Sequence, residues 1–218
     1  MKFSCKKIIF SSSATIYGTA ENFLINEKNI IKPINPYGST KATIEQILND
    51  LSNSGANDWK IANLRYFNPI GAHPSGLIGE DPKGTPNNIF PILTKVASRK
   101  KDKLSIFGND WATKDGTGVR DYIHIMDLAE GHVKTLNYLK ANNPMNISMN
   151  IGTSKGTTVL ELIETFKRVN NIEIPHFFES RREGDVARLV ADNSLLKKTL
   201  NWFPKRSLEE MCIDGWKW

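Results

Sequence analysis

Pro36-Tyr37-Gly38-Ser39-Thr40-Lys41, continuing as Ala42-Thr43-Ile44-Glu45-Gln46-Ile47-Leu48, is the stretch on which the fold of this chain turns. Pro36 suits the first position of a helix, where a missing N–H costs nothing. Ile44, Ile47, Leu48 and Leu51 recur at three- and four-residue spacing and predict an amphipathic helix, stopped after Asn53 by Ser54-Gly55. Tyr37 and Lys41 then share a helix face, one turn apart. A free tyrosine titrates at about 10 and is a poor base at neutral pH. A neighbouring ammonium favours the phenolate and lowers that value. A tyrosine tuned in this way can exchange a proton with a substrate hydroxyl. A surface tyrosine lying over a lysine stem produces the same spacing, so the pair must be read with its surroundings.

Upstream, Lys7-Ile8-Ile9-Phe10 predicts a buried strand that ends in Ser11-Ser12-Ser13-Ala14-Thr15. Small hydroxyl residues at the C-terminal end of a parallel strand lie where open α/β sheets bind ligands. Downstream, Lys60 to Phe67 reads as the next strand, so the helix closes a βαβ unit. A Gly/Pro-rich loop follows from Asn68 through Pro86, and loops of that length are often functional. Helices are expected from Ile89 to Ser98, from Asp127 to Lys140 with Leu128, Val133, Leu136 and Leu139 inward, and from Ser194 to Leu200. Thr158 with Glu161, and Ser207 with Glu210, carry the spacing of capping boxes that open two more. Strands are expected at Lys103–Phe107, Val119–Ile125 and Ile174–Phe178, with a strand end at Met149–Gly152. The pattern predicts an α/β protein: a partial Rossmann-like doubly wound sheet plus a smaller α/β substrate-binding domain.

The chain has 218 residues, 39% apolar and 24% charged, which suits a globular protein with a sizeable core. Its net charge of +6 favours anionic partners in a general way. The basic residues are dispersed and carry no nucleic-acid-reading motif, so no nucleic-acid partner is expected. No apolar run is long enough for a membrane span. Cys5 and Cys212 make neither a disulfide framework nor metal-ligand spacing. They are expected to be reduced, small apolar residues of a cytoplasmic protein, and no metal is expected.

Taken in order, Phe10 to Gly18, Pro36 to Lys41, Arg65-Tyr66-Phe67-Asn68-Pro69-Ile70-Gly71-Ala72, Gly118-Val119-Arg120-Asp121-Tyr122-Ile123-His124 and Arg181-Arg182-Glu183-Gly184-Asp185 resemble the UDP-glucose 4-epimerases of the extended short-chain dehydrogenase/reductase family. The resemblance covers essentially the whole chain. It implies an isomerase acting on UDP-glucose and UDP-galactose, with NAD as cofactor and a 4-keto intermediate. Tyr37 would be the base for the sugar 4-hydroxyl, Lys41 would tune it and hold the nicotinamide ribose, and Ser13 would bond the sugar O4. Ser11, Ser12, Tyr66 and Phe67, together with Tyr37 and Lys41, fall at cofactor-contacting positions. Asn68, Asn87, Asn88, Ile89, Phe107, Arg120, Arg182 and Asp185 match positions that hold UDP. Arginines suit diphosphate oxygens and an aromatic ring suits uracil. Leu189 stands near the position that gates sugar size in the family.

On residue type alone Asn68 and Asn88 could be caps, Phe107 core, and the arginines members of surface ion pairs. His124, on an apolar strand, reads as a satisfied core histidine. Trp216 and Trp218 read as packing residues.

A nicotinamide-binding fold normally carries a Gly-rich strand-to-helix turn and, about 20 residues on, an acidic residue for the ribose. This sequence contains no such turn. Compared with the epimerases it lacks most of the dinucleotide half. The expected organisation is 1–68 as the C-terminal part of a Rossmann-like domain and 69–218 as mostly UDP-sugar domain, with about 119–135 returning to the Rossmann sheet. The polypeptide would be a truncated or split epimerase, functional only if another chain supplies the missing half, with either a second copy of itself, as a homodimer, or a separate N-terminal chain as its partner. The alternatives are a non-catalytic nucleotide-sugar-binding remnant and a nucleotide-sugar 4,6-dehydratase. The latter family needs an acid–base pair after the threonine at the strand end, and Thr15 is followed by Ile16-Tyr17.

Overall fold

A computed structural model describes residues 5–19, 22–55, 58–84 and 86–218. Thr85, inside the Gly/Pro-rich loop expected from the sequence, and Ala20 and Glu21 lie outside the described residues.

Strand β1 (Lys7–Ser13) runs into a 3₁₀ turn (Ala14–Tyr17), and helix α1 spans Pro36–Asn53. Strands β2 (Lys60–Tyr66) and β3 (Asn68–Ile70) follow, then α2 (Ile89–Ala97), β4 (Leu104–Phe107), β5 (Val119–Arg120) and β6 (Tyr122–His124). Helix α3 (Ile125–Ala141) leads to β7 (Met145–Ile151), β8 (Thr157–Thr158) and α4 (Val159–Asn170). The chain continues with β9 (His176–Glu179), β10 (Arg188–Leu189), α5 (Ser194–Leu200) and α6 (Leu208–Lys217).

The first sheet is β1-β2-β7, all parallel, with Lys7 opposite Lys60 and Lys60 opposite Met145. It therefore draws strands from both sides of residue 69. Alternating side chains send Ile8, Phe10 and Ile61 to one face, where Leu48 and Leu51 of α1 pack with Trp59. Ile9, Leu64, Met149 and Ile151 go to the other face, against Leu128 of α3 and Leu196 of α5. Helices on both faces of a parallel sheet make the doubly wound arrangement expected.

The remaining strands form smaller sheets: β10-β5-β8, β3-β6 and β4-β9. A separate core gathers α2, α4 and α6 around Phe166, whose ring meets Phe90 and Trp216 edge-on at 6.0 Å and 5.9 Å. Both capping boxes form: Thr158 and Ser207 each accept from the backbone three residues on, and Glu161 and Glu210 reach back.

Several expectations are corrected. Residues 119–125 are not one strand, because Asp121 turns the chain between sheets: its N–H donates to Leu189 O at 3.1 Å and its carbonyl accepts from Asn68 N at 2.9 Å. The apolar start of β1 is only partly buried, whereas Ser12 and Ser13 are buried. Ile44 and Ile47 on α1, and Val133 and Leu136 on α3, face outward. Both helices bury small or polar residues instead: Gly38 and Glu45 on α1, Gly131 and Thr135 on α3. Cys212 is a buried thiol as expected, but Cys5 is exposed, as is Trp218. Among the described residues no helix is long and apolar enough to cross a membrane.

Candidate functional site

The C-terminal ends of β1 and β2 open into a cavity of about 770 Å³ between the first sheet and the second core. Parallel α/β sheets leave their ligand crevice at this edge. Five of the expected residues from the first unit, Ser12, Ser13, Tyr37, Tyr66 and Phe67, stand in its wall. So do Asn68, Asn87, Asn88, Ile89 and Phe107. Arg120, Arg182, Asp185 and Leu189 complete the expected set. Ser11 and Lys41 lie behind the wall, joined by a 2.8 Å bond from Lys41 Nζ to Ser11 O.

Local chemistry explains the placement of each group. Asn35 caps α1 by accepting from Gly38 N at 2.8 Å, and Pro36 follows in the first turn. Tyr37 therefore emerges at the rim of the cavity, where its side chain is exposed. Gly38 lets the helix approach the 3₁₀ turn, since a Cβ there would stand 2.7 Å from Thr15 O. One turn on, the Lys41 ammonium lies 5.4 Å from the centre of the Tyr37 ring. Ser13 caps the 3₁₀ turn, and its Oγ accepts from Thr15 N at 3.2 Å and from Thr15 Oγ1 at 3.0 Å. With its oxygen engaged as acceptor, the Ser13 hydroxyl proton is left to donate.

Behind these groups Tyr66 bonds Ser11 Oγ at 2.8 Å and touches His132 Nε2, while His132 Nδ1 donates to Leu128 O at 2.8 Å. Burial pushes the Tyr66 phenol above its ordinary value, against the Ser11 bond.

The far end of the cavity is cationic and aromatic. Arg120 and Arg182 share Asp185, at 3.7 Å and 3.8 Å. Arg120 Nη1 also donates to Val186 O at 2.8 Å, which holds its guanidinium in place. The Arg182 guanidinium lies 4.5 Å from the centre of the Phe107 ring. Two guanidinium groups against one carboxylate leave net positive charge, which suits an anionic ligand such as a diphosphate. Asn68 Oδ1 is buried without a hydrogen-bond partner and suits a ligand donor. His124 takes no part: it is fully buried, accepting from Met126 N at 3.0 Å and pairing with Asp214 at 3.2 Å.

Sequence reasoning missed two features. Trp111 joins the wall, with the Arg181 guanidinium 4.0 Å from its ring centre, and no spacing signal points to it. Glu45, one turn beyond Lys41 on α1, is buried, and carrying the four-residue spacing one step further would have found it. Among the described residues no group of His, Cys, Asp and Glu could hold a metal ion.

Comparison with known proteins gives consistent results. The family model described as GDP-mannose 4,6 dehydratase matches residues 1–214. The UDP-glucose 4-epimerase of Bacillus subtilis is 53% identical over 217 residues, covering 100% of this chain and 63% of the relative. The crystal structure of UDP-glucose 4-epimerase from Bifidobacterium longum in complex with NAD+ and UDP superposes with a TM-score of 0.95 at 43% identity, over 100% of this chain and 64% of that one. The Stenotrophomonas maltophila UDP-glucose 4-epimerase, solved with NAD and formylated UDP-arabinopyranose, gives a TM-score of 0.94 at 45% identity, over 98% and 63%. The chain thus spans less than two thirds of the length of these relatives.

Proposed function

Because the chain belongs to the GDP-mannose 4,6 dehydratase family and, within that superfamily, resembles the UDP-glucose 4-epimerases, we propose that it carries the proton-transfer and UDP-sugar-binding part of such an epimerase, interconverting UDP-glucose and UDP-galactose. One observation carries this reading. A single cavity is lined both by Tyr37 and Ser13 and by the cluster of Arg120, Arg182, Asp185 and Phe107. In this reading the diphosphate and uracil are held at the cationic, aromatic end, which delivers the sugar to the Tyr37 end. The Tyr37 oxygen takes the proton of the sugar 4-hydroxyl and later returns it. Ser13 donates to the sugar O4, and Lys41 keeps positive charge beside the phenol.

Bound NAD would supply the acceptor for the C4 hydride and give it back. The residues present fit its nicotinamide-ribose end: Tyr37 carries a donor at the cavity rim, and Lys41, outside the lining, carries another beside Ser11 and Tyr66. Among the described residues no Gly-rich strand-to-helix turn offers a cradle for its phosphates. Strand β1 pairs only with β2 there, and Ile44, Ile47, Val133 and Leu136 expose apolar surface on the two helices beside it. These features support a further cofactor-binding unit at the free edge of β1, from this polypeptide or another, or a second copy. Dehydration is disfavoured, because buried Ile16 and Tyr17 stand where an acid–base pair would be needed to expel water.

Calorimetric titration with UDP and with NAD+, alongside an epimerisation assay, tests the reading. UDP binding with turnover supports it in full. UDP binding without NAD+ binding or turnover leaves a nucleotide-sugar-binding remnant. Loss of UDP binding in a folded sample would sink it.

A further inference from the structure

Glu45 is an unusual residue to bury in the middle of an amphipathic helix, because a carboxylate out of water must be paired. It is 6% exposed. Its Oε1 accepts from Ser12 Oγ at 2.5 Å and from Arg65 Nε at 3.0 Å, and its Oε2 accepts from Arg65 Nη2 at 2.6 Å. The fork is bidentate, the geometry that fixes direction as well as distance. Burial alone would lower the Arg65 pKa, but the bonds to Glu45 and Tyr17 carry it above its ordinary value.

Ser12 and Arg65 are register partners on β1 and β2. Glu45 thus sits in a two-strand cradle, gripping both strands at one level. The next register pair is Ser13 and Tyr66, and both stand in the cavity wall. On the helix side, Tyr37, Lys41 and Glu45 follow one another at four-residue spacing along one stripe. Lys41 bonds Ser11 O and Glu45 bonds Ser12 Oγ, so consecutive turns of α1 hold consecutive residues of β1. The other buried α1 residues are Gly38 and Leu48. Neither offers a directional contact, and an apolar contact lets a helix slide or rotate.

Arg65 extends the grip. Its Nη1 donates to Tyr17 OH at 2.8 Å and to Glu27 O at 3.3 Å, and Tyr17 OH donates to Asn150 Oδ1 at 2.7 Å. The 3₁₀ turn whose cap is Ser13 is tied to the same carboxylate through this chain.

We propose that Glu45 is the positioning residue of the proton-transfer site: by holding Ser12 and Arg65 together it sets the depth and rotation of α1, and so the placement of Tyr37 and Lys41 against Ser13. The role deepens the epimerase reading and rests on it. Glu45 is buried and is not among the residues that line the cavity.

The test must separate positioning from stability. Glu45→Gln leaves Arg65 short of a charged partner inside the protein and can fail by unfolding. Two other variants avoid that. Ser12→Ala removes one bond and keeps the ion pair. The Glu45→Met/Arg65→Leu double variant replaces the pair with apolar side chains of similar size, a change that commonly preserves folding. The readout is the ¹³C NMR signal of reductively dimethylated Lys41, assigned through its loss in Lys41→Arg, with the thermal unfolding midpoint measured on the same samples. We expect a midpoint within about 4 °C of wild type. The Lys41 signal should move towards that of solvent-exposed lysines in both variants. If wild type turns UDP-glucose over, kcat should fall about 100-fold in the double variant with KM unchanged. A Lys41 signal that stays in place in either folded variant overturns the proposal. Absence of turnover in wild type counts against the epimerase reading alone, because the Lys41 signal still decides the role of Glu45.

Discussion

The Lys41 ammonium donates to the main-chain oxygen of Ser11 at 2.8 Å, which pins the second turn of α1 to the end of β1 and leaves the charge 5.4 Å from the Tyr37 ring centre. The Lys41–Ser11 bond thus holds a cation beside the Tyr37 ring.

Tyr37→Phe removes the proton acceptor and Lys41→Met the charge beside it. Each is expected to lower kcat for UDP-glucose epimerisation by about 10²- to 10⁴-fold, the usual contribution of a positioned acid–base group. Affinity for UDP should stay within a factor of about two, since neither residue belongs to the cationic end of the cavity. Steady-state kinetics with calorimetric UDP titration checks both halves.

Arg182 stacks on Phe107 and reaches Asp185 only at 3.8 Å, so its donors remain free for an anion. Arg182→Ala should weaken UDP binding by about 1.5–3 kcal/mol, the range for hydrogen bonds to charged groups. Uridine, which has no diphosphate, should be affected much less. The side chain is half exposed and bridges no core, so the unfolding midpoint should hardly move.

His124 provides a pH-dependent stability term away from the site. Its Nδ1 accepts from Met126 N at the start of α3, which leaves Nε2–H to meet Asp214. A proton on Nδ1 would break the first bond. Burial, the largest influence, holds its pKa below the ordinary 6.5, against the pull of Asp214. The native state therefore binds fewer protons than the unfolded chain just below the ordinary value, and stability falls as pH falls. The contribution is fully present above about 6.5 and is lost towards the lower folded value. In urea unfolding from pH 8 down to pH 5, the advantage of wild type over His124→Asn should shrink in that direction. An NMR titration of the His124 ring should give a midpoint below that of a free histidine.

Thr158 caps α4 and also donates to Asp115. Thr158→Ala should cost about 0.5–2 kcal/mol in urea unfolding, the range for a lost N-cap. Thr158→Ser keeps the hydroxyl and should recover most of it.

Local signals foretold the elements with strong punctuation. Pro36 opened α1, Ser54-Gly55 closed it, and the Thr158/Glu161 and Ser207/Glu210 spacings marked α4 and α6, because caps and proline act within a single turn. The parallel βαβ order of β1, α1 and β2 followed from apolar runs separated by a helical period. The resemblance in the Tyr37–Lys41, Arg120 and Arg182 motifs pointed to residues that the fold gathers around one cavity.

Which face of a helix is buried was not legible, because it depends on what the neighbouring element presents. Ile44 and Ile47 are exposed while Glu45 is buried, since β1 and β2 present Ser12 and Arg65 at that level rather than an apolar surface. The division of 119–125 between two sheets was equally hidden: Asp121 belongs to a run that reads as one strand, and only the positions of Leu189 and Asn68, far apart in the chain, make its two backbone groups bond in different directions. Amino-acid order by itself fixed the local conformations and the chemical groups available. Tertiary structure alone decided which carboxylate would be taken out of water, because the cost of burying a charge is met only where distant strands bring a guanidinium and a hydroxyl to the same point.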